Sequence, residues 1–195
     1  MKVDKRVKNI PLTKENLNGA VRVHFNNLQE GLIFELGEAL ATHFYQEIVR
    51  DSDSWGYLAV VGHFEVGIVV CTLNVKKVST LFYRKNLIQV VKGVLPRLLQ
   101  PTLLKHILEA LTIKKEGIPT LLFLVMDEDQ RGKGIGSVLI DTIIKDFQRR
   151  GVRKFIVELN EGNPAEEFYK KKGFTFKSCY KVFGKNRRVL EYEYQ

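Results

Sequence analysis

The 195-residue sequence is poor in cysteine and lacks long apolar runs. Its two cysteines, Cys71 and Cys179, cannot build a disulfide framework, and their separation is not that of zinc ligands. Apolar runs such as 66–73 and 118–126 are far shorter than the roughly 20 residues that span a bilayer. Residues 1–6 lack the apolar segment of a signal peptide. These absences predict a soluble protein of a reducing compartment, most simply the cytoplasm, with both cysteines as ordinary core or surface residues.

The composition is that of a folded globular protein. Hydrophobic residues make up 45% and charged residues 27% of the chain, which predicts a single domain over residues 1–195. The net charge is +9 and the pI is about 9.5, and basic residues cluster at 149–154, 170–172 and 185–188. Nucleic acid, an anionic membrane surface and a polyphosphate ligand would all suit this charge. Charge alone therefore does not choose the partner.

The first 111 residues predict an edge strand, two helices, a hairpin and a helical insertion. Apolar residues at helical spacing follow Thr13, which is the expected helix cap, and a second helical stripe runs from Phe34 to Val49. The remaining elements are a weak strand at 3–11, hairpin strands at 57–61 and 66–73 around a turn at 62–65, and helices within 86–111 that Pro96 and Pro101 interrupt.

The second half of the chain carries stronger signals. A short apolar run at 121–126 predicts a buried strand, and the stripe from Leu139 to Phe147 predicts an amphipathic helix that Gly151 ends. A strand at 154–159, a helix from Asn163 to Gly173 and a closing hairpin of 174–183 and 187–194 complete a mixed α/β domain.

A glycine-rich loop joins the buried strand to the amphipathic helix. It reads Arg131-Gly132-Lys133-Gly134-Ile135-Gly136-Ser137. Glycines allow a ligand to approach the backbone, and the free amides and dipole of a helix start favour a diphosphate. The spacing matches neither the P-loop nor the dinucleotide fingerprint. The loop therefore predicts a phosphate cradle of another class.

Two segments in this order resemble the GNAT superfamily of acetyl-CoA-dependent N-acetyltransferases. Residues 131–136 resemble its pyrophosphate loop, and Leu124-Val125-Met126-Asp127 resembles its bulged strand. Asn163-Pro164-Ala165-Glu166-Glu167-Phe168-Tyr169, followed by Gly173-Phe174, resembles its second signature. The resemblance implies a mostly antiparallel central sheet flanked by helices, and the stretch 86–111 departs from the minimal family pattern as an insertion.

The resemblance also implies roles for individual residues. Tyr169 would protonate the departing thiolate, with packing beside Phe168 as the alternative. Asn163 would contact the pantetheine arm, with helix capping as the alternative. Val125 and Met126 would bond the pantetheine through their main chains. The other cofactor-binding residues would be Leu124 on the same strand and the loop residues Arg131, Gly132, Lys133, Gly134, Ile135, Gly136 and Ser137. No metal is expected.

The general base is not evident from the sequence. The strand residues 120–124 contain no glutamate, although this strand often carries one in the family. An ordered-water relay would need no single base, and His43 and His106 are expected to be structural. The candidates for direct or relayed transfer are His24, Glu30, His63 and Glu161.

The expected acceptor is a primary amine of a small molecule or amino sugar. Residues 23–45 would form its wall, with Phe25, Phe34, Phe44 and Tyr45 either lining a pocket or packing the core. A protein or peptide amine is the alternative acceptor, and a non-catalytic acyl-CoA-binding module is the alternative to an enzyme. Neither a membrane nor a nucleic acid is expected as a partner. The apolar stripes of 86–111 should cover the acceptor side or form a homodimer contact.

Overall fold

The computed structural model describes residues 7–29, 34, 37–85, 117–182 and 184–195. The insertion predicted at 86–111 lies outside these residues, and so do the first four residues of the predicted edge strand, Glu30 and His106. The predictions of a lid or dimer contact made by 86–111 therefore stay predictions.

Seven strands form one mixed sheet in the order β1-β2-β3-β4-β5-β7-β6. Every neighbouring pair is antiparallel except β4 and β5, which run parallel. This confirms the mostly antiparallel sheet that the family resemblance implies. The strands are β1 (Val7–Pro11), β2 (Ser54–Val61), β3 (Phe64–Thr72), β4 (Thr120–Met126), β5 (Lys154–Asn160), β6 (Thr175–Val182) and β7 (Lys185–Glu193).

Five helices cover the two faces of the sheet in the described residues. One face carries α1 (Leu17–Asn27), α2 (Glu38–Arg50) and α3 (Val75–Lys85), and the other carries α4 (Ile135–Arg149) and α5 (Ala165–Lys171). A single-turn 3-10 helix lies at Glu128–Gln130. Each face has its own apolar core, so the sheet is buried on both sides over its central strands.

The α4 stripe shows why these residues form a helix here. Leu139, Ile140, Ile143 and Phe147 are fully buried against the sheet, and burying one such side chain stabilises the fold by roughly 1.5–3 kcal/mol. Gly151 ends the helix with φ of 71°, a left-handed backbone that favours glycine. Cys71 is buried and Cys179 is exposed, and both are free thiols, as the sequence predicts. Among the described residues no helix is long and apolar enough to cross a bilayer.

Two predicted helix starts are wrong. Helix α1 begins at Leu17, and Thr13 does not cap it: the Thr13 amide instead donates to Asn16 Oδ1 at 2.8 Å. Helix α2 begins at Glu38 and not at Phe34, because Gly37 before it has φ of 96°. A positive φ interrupts a right-handed helix, so the apolar stripe starts before the helix does.

Both hairpin turns are shorter than predicted. Val61 pairs with Phe64, which leaves only residues 62 and 63 in the first turn. Lys185 already pairs with Val182, so the second turn ends before it. Helix α3 was not predicted at all, since only Val78 and Phe82 mark its buried side among the residues whose exposure is described.

Candidate functional site

A gap opens in the middle of the sheet where β4 and β5 separate. Their pairing consists of Thr120 with Ile156 and Leu121 with Val157. Beyond Leu121, β4 stays paired with β3 only, and β5 stays paired with β7. The second half of β4 therefore presents one unpaired backbone edge inside the sheet, and an unpaired edge needs hydrogen-bond partners from solvent or a ligand.

A β-bulge in β4 begins this separation. Phe123 pairs with Val70 and Leu121 pairs with Cys71, which leaves Leu122 as the extra residue. Leu122 and Phe123 consequently pack on the same face of the sheet. A bulge bends its strand and redirects the backbone that follows, so the bulge accounts for the departure of β4 from β5.

The backbone groups that face the gap can be assigned from the register with β3. Asp127 donates its amide to the Val66 carbonyl at 2.9 Å, so Asp127 faces β3. Backbone groups alternate between the two edges of an antiparallel strand. Val125 thus also faces β3, while the amides and carbonyls of Leu124 and Met126 face the gap. This geometry favours Leu124 and Met126 for main-chain bonding to a ligand, and it differs from the predicted use of Val125.

The glycine loop lies at the end of β4 and leads directly into α4. Gly132 and Gly134 have φ of 74° and 86°, and Gly134 is the N-cap residue without any side-chain cap. The amides at the start of the 15-residue helix therefore lack a capping side chain, and the helix dipole adds partial positive charge. Ile135 is buried and holds the loop on the core. Gly136 has no side chain, and a Cβ added there would lie 3.9 Å from Phe168 and 4.0 Å from Met126.

The two cationic side chains of the loop are exposed. Lys133 Nζ donates to Gln130 Oε1 at 3.2 Å, and Arg131 points to solvent. Both charges thus lie beside the uncapped helix start. The arrangement suits an anionic ligand such as a diphosphate.

Asn163 has the capping contact that was its alternative role. Its Oδ1 accepts a hydrogen bond from the Ala165 amide at 2.9 Å, and α5 begins at Ala165. The side-chain nitrogen remains the group that could contact a ligand.

Tyr169 lies on α5 within the apolar core that α4 and α5 form with the sheet. It is 3% exposed, and its ring centroid lies 5.2 Å from those of both Phe168 and Phe174. Burial raises the pKa of Tyr169 well above the ordinary tyrosine value. The hydroxyl is therefore protonated at neutral pH, as a proton donor must be, while the ring also packs as the alternative interpretation predicts.

The structure identifies Glu158 as a candidate carboxylate that the sequence analysis missed. Glu158 directly follows Val157, the last β5 residue that pairs with β4. Phe155, Val157 and Leu159 pack beneath α4 and α5, so alternation places Glu158 on the opposite face. Its Oε2 accepts a hydrogen bond from the Tyr180 hydroxyl at 2.8 Å. A lone glutamate among the apolar residues of this strand was the signal that could have identified it.

Of the four predicted bases, the structure describes three, and none of these three lies on β4 or β5. His63 is exposed in the turn between β2 and β3, Glu161 accepts from Asn186 Nδ2 at 2.7 Å, and Glu30 is outside the described residues. His24 is buried at 1% exposure, and its Nδ1 lies 2.7 Å from the Tyr45 hydroxyl. Glu158 is the carboxylate that directly follows the last β5 residue paired with β4.

The His24 environment predicts a pH-dependent stability. Burial lowers the pKa of His24 to about 4 from an unfolded value of 6.5. Because the unfolded chain binds the proton first, this stability is present above pH 6.5 and is lost as the pH falls towards 4. Between pH 8 and pH 5 the loss should be about 2 kcal/mol. Urea unfolding at both pH values should show that drop in the wild type, and His24→Gln should lack it. An equal drop in both proteins would contradict the assignment.

The aromatic residues of the predicted acceptor wall divide into two groups. Phe44 and Tyr45 are buried in the core beside α1 and do not line a pocket. Phe25 and Phe34 are half-buried, with ring centroids 5.3 Å apart. Of these four aromatic residues, Phe25 and Phe34 therefore keep an accessible ring surface. Within the described part of the chain, no cluster of His, Cys, Asp and Glu could hold a metal ion.

Comparisons with known proteins point to one family. Residues 103–176 match the family model described as "Acetyltransferase (GNAT) domain". No curated protein matches the sequence. Many solved structures share the fold, and three of the most similar follow here.

NAA60 of Arabidopsis thaliana, in complex with a bisubstrate analogue, has a TM-score of 0.63 and 17% identity over 97% of this chain and 99% of its own. The ribosomal-protein-S18-alanine N-acetyltransferase of Escherichia coli has a TM-score of 0.62 and 12% identity over 96% and 93%. The PaiA N-acetyltransferase of Thermoplasma acidophilum, in complex with coenzyme A, has a TM-score of 0.62 and 15% identity over 96% and 99%.

Proposed function

We propose that this chain moves an acetyl group from acetyl-CoA directly to a primary amine. The premise is that it carries a domain of the GNAT superfamily of acetyl-CoA-dependent N-acyltransferases. The observation that carries the proposal is the gap between β4 and β5. An uncapped glycine-rich helix start follows the free end of β4. Tyr169 belongs to the apolar core on one face of the sheet, and Glu158 lies on the other face.

The cradle for acetyl-CoA is built mainly from the backbone. Amides of residues 132–137 would hold the pyrophosphate, with Arg131 and Lys133 adding positive charge. Leu124 and Met126 would bond the pantetheine arm through the unpaired edge of β4, and Asn163 would contact it from the turn before α5. The open edge and the uncapped amides fit such a ligand, since both need partners that the described residues do not supply.

Glu158 is the proposed proton acceptor. An amine is protonated at neutral pH and must lose a proton before it can attack a carbonyl. Glu158 stands where the strands separate, and the hydrogen bond from Tyr180 orients its carboxylate. It would take the place of the strand glutamate that residues 120–124 lack.

Tyr169 is the proposed proton donor to the departing thiolate. Burial raises the pKa of Tyr169, so its hydroxyl carries a proton at neutral pH. Glu158 and Tyr169 would therefore handle the two protons of the reaction from opposite faces of the sheet. The main-chain amides that face the gap would polarise the reacting carbonyl.

Tyr169→Phe should lower kcat by about a hundredfold, because phenylalanine keeps the ring packing but has no proton to donate. The affinity for acetyl-CoA should change less than about threefold, since the ring still fills the same core space. Steady-state kinetics and calorimetry measure the two quantities. Tyr192→Phe is the matched control, because Tyr192 belongs to the same aromatic cluster. Equal activity of the two variants would return Tyr169 to a packing role.

The proposed acceptor is a peptide or protein amine, with a small-molecule amine or amino sugar as the second candidate. Among the solved relatives, the Escherichia coli enzyme is named for a ribosomal protein alanine, and the NatC complex was crystallised with a peptide and CoA. The half-buried Phe25 and Phe34 pair supports the second candidate, because aromatic rings suit the apolar face of a sugar. The burial of Phe44 and Tyr45 removes the rest of that support.

Mass spectrometry can separate the two acceptor classes. The protein is incubated with acetyl-CoA and an equimolar mixture of peptides with free N-termini, polyamines and amino sugars. A mass gain of one acetyl group on peptide N-termini alone supports the first candidate, and a gain on the small amines supports the second. The absence of any acetylated product, with CoA binding intact, would contradict the proposed transfer.

A further inference from the structure

One side chain connects the end of α1 with the start of the cofactor loop. Asn27 is the last residue of α1, and Asp127 is the first residue after β4. Asn27 Nδ2 donates to Asp127 Oδ1 at 2.7 Å. Asn27 Oδ1 accepts from the Glu128 amide at 3.2 Å. This bridge joins residues 100 positions apart in the chain.

The chemistry of the bridge is specific to asparagine. Asn27 Nδ2 also donates to the Val23 carbonyl at 2.9 Å, which fixes the side chain on its own helix. Both donor hydrogens and the carboxamide oxygen of Asn27 are thus engaged. Aspartate in its place would have no donor and would face the Asp127 carboxylate. One bond of the bridge is charge-assisted, which makes it stronger than a neutral pair.

The bridge holds the turn that precedes the glycines from a second side. Asp127 is already bonded to β3 through Val66, and the Gln130 amide donates to the Asp127 carbonyl at 3.0 Å. Asn27 adds a connection to the opposite layer, which contains α1 and the half-buried Phe25. Asp127, which begins the turn that leads to the cofactor loop, is therefore anchored to the helix layer that would receive the acceptor.

We propose that Asn27 is a positioning residue through which occupation of the cofactor loop orders the end of α1, so that acetyl-CoA and the amine favour each other's binding. The proposal rests on the function proposed above for the loop. A ligand that fixes the turn at Asp127 and Glu128 also fixes the Asn27 carboxamide, and with it the last turn of α1. Coupling of this kind is reciprocal, so the amine must strengthen acetyl-CoA binding by the same factor.

Hydrogen exchange of the intact protein, with and without saturating CoA, tests the coupling without knowledge of the acceptor. In the wild type CoA should slow exchange by about tenfold in residues 128–138 and also in residues 21–29. In Asn27→Ala the slowing should persist in the loop and disappear in α1. Asn16→Ala is the matched control, because Asn16 bonds to Thr13 and Pro11 at the other end of the same helix. This control should keep both effects.

Swapping the side chains at positions 27 and 127 provides a rescue experiment. Asn27→Asp should weaken CoA binding by about tenfold, because it places two carboxylates together. Adding Asp127→Asn restores a donor and an acceptor between positions 27 and 127, while the bond to the Val23 carbonyl stays lost. The double variant should therefore recover part of the affinity and part of the slowed exchange in α1. Calorimetry measures the affinity for CoA, and hydrogen exchange measures the protection of α1.

The outcomes separate the two proposals. A wild type that does not bind CoA contradicts the proposed function itself. CoA binding with slowed exchange only in the loop, or with the same α1 response in Asn27→Ala, overturns the coupling alone. Failure of the double variant to recover, with the single variants folded, also overturns it.

Discussion

Gly134→Glu should reduce the affinity for CoA and acetyl-CoA by a hundredfold or more, on the order of the loss expected when like charges meet in a binding site. Gly134 is the N-cap of α4, with φ of 86°. The substitution puts a carboxylate beside the amides that would hold the pyrophosphate. It also imposes a left-handed backbone on a residue with a side chain, which costs about 1–2 kcal/mol. Calorimetry with CoA measures the loss.

Gly151→Glu is the control for this result. Gly151 lies just beyond the other end of the same helix, has φ of 71° and has no heavy atom within 4 Å of an added Cβ. The variant carries the same added charge and a similar backbone cost, so its stability should fall comparably while its CoA affinity stays within about twofold of the wild type. Wild-type CoA binding should also weaken with added salt, because the ligand is anionic. A folded Gly134→Glu protein with unchanged affinity would refute the cradle.

Glu158→Gln should lower kcat by about two to four orders of magnitude, because a general base commonly contributes that much to the rate. Glutamine keeps the size of the side chain and can still accept the hydrogen bond from Tyr180, but it cannot take a proton from the amine. CoA affinity should remain within about twofold, since Glu158 lies on the face opposite α5. Turnover with the acceptor identified by mass spectrometry, and calorimetry with CoA, give the two numbers.

The matched control for the base is Glu161→Gln. Glu161 lies three residues further along the chain, is exposed and bonds to Asn186. Its loss should leave kcat within about threefold of the wild type. If Glu161→Gln were the inactive variant and Glu158→Gln the active one, the sequence-based candidate would be right and the assignment from the structure wrong. Equal, near-wild-type rates for both would favour a water relay.

The features that the sequence alone predicted correctly depend on neighbours in the chain. The stripe from Leu139 to Phe147, with Gly151 after it, indicates α4 because helical spacing and a left-handed stop are local properties. Asn163 before a short helix indicates a cap for the same reason. The glycine loop and the α5 motif led to the resemblance that the family model supports. Local spacing was less informative where Gly37 interrupts the stripe ahead of α2.

The features that only the tertiary structure decided depend on pairings between distant segments. The gap exists because β4 and β5 pair at two positions and a bulge at Leu122 then turns β4 away. That register decides that Leu124 and Met126, and not Val125, face the gap. Packing between helices decides that Phe44 and Tyr45 belong to the core. Glu158 is assigned a role because Tyr180 donates a hydrogen bond to it, and Asn27 because it donates a hydrogen bond to Asp127. No local pattern specifies such partners, because they meet only when the strands and helices assemble into one sheet-centred fold.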